Sequence, residues 1–112
     1  MSKEGAAAVK TAATRYNSWS EFYPFYLQEH SNPTNRRLHV IGTMCVVLLA
    51  AYVARTRDFR FLALLPLVGY GFAWVGHFVF EKNRPATFKY PFYSLFSDFV
   101  MFFQTVTFQR KF

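Results

Sequence analysis

Apolar and polar positions divide the chain into blocks. Residues 1–15 are alanine-rich, carry Lys3, Lys10 and Arg15, and hold no amphipathic period, which predicts a flexible N-terminal tail. Residues 18–29, "SWSEFYPFYLQE", open with capping-box spacing from Ser18 to Glu21 and then crowd aromatics together. A short helix lying in the headgroup region of a bilayer is expected there, kinked or restarted at Pro24. The next helix has a clear start, with Asn32 as cap, Pro33 at the first helical position and no break until about Ala54. Its apolar part, "LHVIGTMCVVLLAAYVA" at 38–54, rises about 25 Å, a little short of the roughly 30 Å hydrocarbon core. After the polar turn "RTRDFR", the run "FLALLPLVGYGFAWVGHFVF" at 61–80 has the length of a full span, with Pro66 and three glycines allowing a kink and close helix contact. "EKNRPATFKYP" breaks the pattern, and a last apolar segment, "FYSLFSDFVMFFQTVTF", covers 92–108. Asp98 and Gln104 make it a poor independent span, so it lies in the interface or packs on the other helices with its polar groups inward. The expected fold is all-α: an integral membrane helical hairpin with an N-terminal interfacial helix and a C-terminal apolar helix, residues 16–112 forming a single membrane-embedded domain.

Composition points the same way. In 112 residues, 53% are hydrophobic and 21% aromatic, more aromatic surface than a small soluble core buries. The net charge of +7 fits nucleic acid or an anionic membrane, but the basic residues flank apolar runs and form no stripe, which argues against nucleic acid. Cys45 is alone in an apolar run and builds no disulfide framework. The N-terminal stretch lacks the continuous apolar core of a secretory signal, so insertion is expected from the internal segments.

The histidines give the chain its candidate chemistry. In an antiparallel hairpin turning at 55–60, His39 lies 15 residues before the end of the first helix and His77 lies 16 residues after the start of the second. At about 1.5 Å per residue these are similar depths, and His30 precedes the capped turn at the same end. Three neutral imidazoles meeting there suit iron or zinc, and ionisable groups in apolar helices tend to mark function. Glu81, four residues after His77, is placed either to complete the ligand set or to orient that imidazole. Asn35 stands in the same relation to His39, suited to fixing its tautomer or holding a substrate carboxylate. Arg36, Arg37, Lys82 and Arg84 add positive charge that either binds substrate or anchors the helices at the headgroups. Asp98 joins the group if the last helix folds back; otherwise it is a solvated carboxylate.

Two motifs carry a resemblance: "HSNPTNRRLHVIG", a His-x-x-Pro-x-Asn-x-x-x-His pattern, and "GHFVFEKNRPA", Gly-His followed by Phe-Glu-Lys and a Pro-Ala pair. Over about residues 16–103 the chain resembles the 2-hydroxy-palmitate dioxygenase-like family of small membrane proteins known from yeast phytosphingosine degradation. Beyond "RPATF" it is similar to the compact form common in bacteria. The resemblance implies an iron(II) enzyme that uses dioxygen to shorten a long-chain 2-hydroxy fatty acid by one carbon, the step of fatty acid alpha-oxidation. It implies His30, His39 and His77 as iron ligands, with Asn35 and Glu81 in the same site. It also implies location in the endoplasmic reticulum of a eukaryote or the inner membrane of a bacterium, and the Lys and Arg count places the site on the cytoplasmic face. Two other functions remain in play: a non-catalytic membrane protein that binds lipid or a partner through aromatic helices and a basic rim, and bis-histidine haem ligation, which the Asn and Glu residues fit poorly.

Overall fold

The structure, a computed structural model, describes residues 15–112. Of the tail expected over residues 1–15, only Arg15 lies within it, its guanidinium over the Tyr90 ring. The described residues form no strand.

Helix α1 spans Trp19–Gln28. Ser18 is extended, and its Oγ accepts a hydrogen bond from Glu21 N at 3.3 Å. The expected capping box closes one residue early, because Glu21 Oε1 accepts from Asn17 N at 3.4 Å. Pro24 neither divides nor restarts α1. The carbonyl its ring leaves unpaired is that of Ser20, an exposed residue in the first turn, where water can satisfy it.

Helix α2 spans Pro33–Thr56. Asn32 Oδ1 accepts from Thr34 N at 2.9 Å and Asn35 N at 3.4 Å, with Pro33 inside the start where no backbone donor is needed. The helix outlasts the expected Ala54 by two residues and stops where Arg57 turns left-handed at φ 58°, its N–H donating to Val53 O at 2.7 Å. The return segment, Phe59–Glu81, changes its winding along the way: a 3-10 stretch at Phe59–Ala63, helix α3 at Leu64–Val75, and a π-helical turn at Gly76–Glu81. Pro66 falls in the first turn of α3, where it costs the helix no kink. Gly42 lets the two helices close, since a Cβ there would stand 2.8 Å from Phe72 Cβ.

Pro33–Thr56 and Phe59–Glu81 are both long and apolar enough to cross a membrane. Only 28% and 17% of their apolar windows are buried within the protein, whereas the core helix of a soluble domain would be mostly covered.

Helix α4, Pro91–Val106, packs against α1 and α2 with its polar groups inward, one of the two arrangements expected for it. Trp19 Nε1 donates to Ser97 Oγ at 2.9 Å, Tyr23 OH to Gln104 Oε1 at 2.7 Å, and Tyr26 OH to Asp98 Oδ1. Hence the α1 aromatics expected at the headgroups are largely turned inward. Phe22, Tyr23 and Tyr26 form the buried core with Tyr16, Val40, Tyr90 and Met101.

Candidate metal centre

Three elements bring the histidines together at one end of the α2–α3 pair. His30 follows α1, and its Nδ1 lies 2.6 Å from Tyr26 O, one of the last-turn carbonyls that a helix leaves without an internal partner. Its ring stacks on Tyr26 with centroids 4.0 Å apart. His39, in the second turn of α2, sets Nδ1 3.0 Å from Asn35 O. His77 lies in the π-helical turn with Nδ1 2.7 Å from Asn83 Oδ1. The three residues are only 1%, 5% and 2% exposed. Their free nitrogens converge: His30 Nε2 lies 3.1 Å from His39 Nε2 and 3.0 Å from His77 Nε2.

Counting protons shows what this arrangement needs. A carbonyl oxygen only accepts, so Nδ1 of His30 and of His39 must carry the proton. The same holds for His77, because Asn83 Nδ2 is committed to Glu29 O at 3.2 Å and Glu29 Oε1 at 3.3 Å, leaving Oδ1 to face the imidazole. Each neutral ring then presents a bare lone pair at Nε2. Three lone pairs at this spacing repel, and nothing in their hydrogen bonding relieves them. A proton is a poor remedy at His30, whose pKa is held well below the usual histidine value, first by burial and then by the neighbouring imidazoles of His39 and His77. A metal ion shared by all three resolves the conflict: with metal–nitrogen bonds of about 2.0–2.1 Å, adjacent ligands sit about 3 Å apart. The three buried histidines thus form a donor set able to hold a metal ion.

Glu81 is not part of that set among the described residues, and it does not orient His77. Its carboxylate accepts from Ser31 Oγ at 2.8 Å, Asn32 N at 2.9 Å and Asn35 Nδ2 at 3.0 Å. It ties the start of α2 to the π-helical turn, where the free N–H groups of a helix N-terminus favour a negative charge. The expectation for Asn35 changes likewise. Its backbone carbonyl, and not its amide, fixes the His39 tautomer, while the amide holds Glu81. Asn35 is 0% exposed, and its Oδ1 has no hydrogen-bond partner. Asn83 is the residue that the sequence reading missed: it stands six positions after His77, outside helical periodicity, and only the left-handed Lys82 at φ 62° turns the chain back to bring it there.

The basic residues stand around the site with varied engagements. Arg36 donates from Nη1 to His30 O and Ser31 O, both at 3.1 Å, and so clamps the loop. Arg37 donates to Phe112 O at 3.1 Å, and the Arg84 guanidinium lies over the Phe88 ring at 5.3 Å. Beside the imidazoles is a small cavity with an open mouth, lined also by Tyr26, Ser94, Leu95 and Asp98. Asp98 therefore does fold back to the histidines. Burial raises its carboxyl to about 7, against the opposing effects of the Tyr26 hydroxyl and of His77.

No curated protein and no solved structure matches the chain significantly. A family profile described as "2-hydroxy-palmitic acid dioxygenase Mpo1-like" matches residues 16–110, which include all three histidines, Asn83 and the whole of α4. With nearly its whole length matched, the chain belongs to the Mpo1-like family.

Proposed function

We propose that the protein is an iron(II)-dependent dioxygenase of the membrane that shortens a long-chain 2-hydroxy fatty acid by one carbon, with loss of the carboxyl carbon. The observation that carries this reading is the convergence of three proton-free Nε2 atoms beside an open cavity. The family description supplies the substrate class. Iron(II) held by His30, His39 and His77 would supply the activation of dioxygen and the oxidative cleavage between C1 and C2. The chain's part is to hold each imidazole in one tautomer through Tyr26 O, Asn35 O and Asn83 Oδ1, and to keep bulk water from the ligand atoms by burial. Glu81 and Asn35 act by fixing the loop that carries His30 to the helices that carry the other two.

The acyl chain would lie along apolar surface that the fold leaves open, including Leu95 and Tyr70 at the cavity. Hairpin insertion with the site at the cytoplasmic face, in the endoplasmic reticulum or a bacterial inner membrane, fits the exposed apolar helices and the basic rim of Arg36, Arg37, Lys82 and Arg84. Lys82 and Arg84 are better placed than the other two to draw in a carboxylate, since Arg36 and Arg37 are spent on backbone carbonyls. Protein purified without oxygen should contain iron. Given iron(II) and oxygen it should convert a long-chain 2-hydroxy acid to the acid one carbon shorter and leave the unhydroxylated acid untouched. Iron-loaded protein that yields no shortened acid over several chain lengths, in detergent and in bilayers, would favour non-catalytic lipid binding.

A further inference from the structure

Part of the cavity wall belongs to α4, and two of its polar residues are left with unused hydrogen-bonding capacity there. Ser94 and Asp98 stand four positions apart, one helical turn, and both line the cavity that the imidazoles face. Ser94 is 6% exposed, yet its Oγ has no hydrogen-bond partner. A helical serine or threonine commonly escapes that cost by donating to the carbonyl four residues back. Ser97 and Thr105 do so on this same helix, to Tyr93 O at 2.7 Å and Met101 O at 2.8 Å. Ser94 does not. Asp98 receives the Tyr26 hydroxyl on Oδ1, while Oδ2 makes no hydrogen bond among the described residues. Its place relative to His30 is fixed, because Tyr26 also stacks on the His30 ring and supplies the carbonyl that holds its Nδ1.

A free donor and a free acceptor therefore sit side by side next to the three lone pairs. Their complement is a ligand with an acceptor and a donor on adjacent carbons. A 2-hydroxy carboxylate has both; a plain fatty acid has the carboxylate but no hydroxyl proton to offer. We propose that Ser94 and Asp98 grip the polar end of the substrate, Ser94 donating from Oγ to its carboxylate and Asp98 accepting from its 2-hydroxyl. This assignment rests on the reading of the protein as a 2-hydroxy fatty acid enzyme. It makes Asp98 the residue that selects for the hydroxyl, since its free oxygen is met by the hydroxyl proton of a 2-hydroxy acid and left unmet by a plain acid. It also moves recognition of the reacting end from the arginine rim to the inner wall.

The test is equilibrium binding to the full-length, iron-loaded protein without oxygen, so that no turnover intervenes, with 2-hydroxyhexadecanoic and hexadecanoic acids titrated in micelles. Wild type should prefer the hydroxylated acid. Ser94→Ala should weaken both acids by a similar factor, about 10-fold, because both carry the carboxylate it would hold, and Ser94→Thr should restore much of the loss. Asp98→Ala should weaken only the hydroxylated acid and so erase the preference. Asp98→Asn keeps an acceptor and removes the charge, so it should bind the plain acid more tightly than wild type does; if the alanine variant fails to fold, this result decides. Iron content should stay at the wild-type level in Ser94→Ala and Asp98→Asn. Wild-type preference retained in every folded Asp98 variant, with Ser94→Ala binding both acids normally, would overturn the assignment while leaving the proposed reaction standing. Wild type that binds neither acid would overturn both.

Discussion

Each imidazole spends one nitrogen on an oxygen acceptor so that the other is left bare, and this division of labour sets what single substitutions should do. Replacing His30, His39 or His77 by Ala removes one of three donors, and if the site holds iron as proposed, each variant should lose most of it in metal analysis after anaerobic purification. Asn83→Ala leaves the donors intact but frees the His77 ring, so iron affinity should fall about 10- to 100-fold, measured by competition with a chelator. Acid should act on the metal-free protein through His30. Its folded-state pKa lies below the unfolded value, so the unfolded chain takes up the proton first. The stability that His30 contributes is present above its unfolded pKa, about 6.5, and declines as the pH falls below it. Unfolding midpoints from pH 8 to pH 5 should therefore drop less steeply in His30→Ala than in wild type. At this scale the sequence located the residues better than their contacts. The four-residue spacing from His77 to Glu81 suggested that the carboxylate either joins the ligand set or orients the imidazole. The π-helical turn bonds each residue to the fifth one on, which widens the turn and spoils that alignment, and Glu81 faces the open N–H groups of α2 instead.

Among the helices, α2 was the most legible, because Asn32 and Pro33 mark its start chemically and an unbroken apolar run carries it onward. Helix α4 was legible only as a choice between two states. Its outcome depended on partners far away in sequence, the Trp19, Tyr23 and Tyr26 side chains that donate to Ser97, Gln104 and Asp98. Winding changes in the return helix left no signal in hydropathy. The π-helical turn does have a physical mark in Gly76: a methyl there would collide with Asn35 Oδ1 and crowd Asn35 Cγ at 3.1 Å. Asn35 is buried and committed to Glu81, so it has little freedom to retreat. Gly76→Ala should push α2 and the turn apart and reduce iron retention along with thermal stability, the latter by about 1–3 kcal/mol, as overpacking generally costs. Gly71→Ala is the matched control, since a Cβ there meets nothing within 4 Å. Both variants can be compared by thermal melts followed by circular dichroism.

At the scale of the whole molecule, the described residues extend 49 Å in their longest dimension, enough to pass the roughly 30 Å hydrocarbon core with ends in both headgroup layers. If the hairpin crosses, Lys89→Cys and Arg55→Cys in a Cys45→Ala background should be labelled by a membrane-impermeant thiol reagent from opposite sides, with Lys89 on the cytoplasmic side. Labelling of both from one side would end the spanning topology. The site's geometry also bears on how long the protein survives. His30, His39 and His77 come from three separate segments, and without a cation their lone pairs push those segments apart. A metal ion held there would then be a clasp on the fold as well as a reagent. Chelated protein should be nicked by a protease first in the connecting stretches 29–32 and 82–90, and iron-loaded protein should be spared. In a cell short of the metal that fills this site, the lifetime of the polypeptide, and so its abundance, would fall.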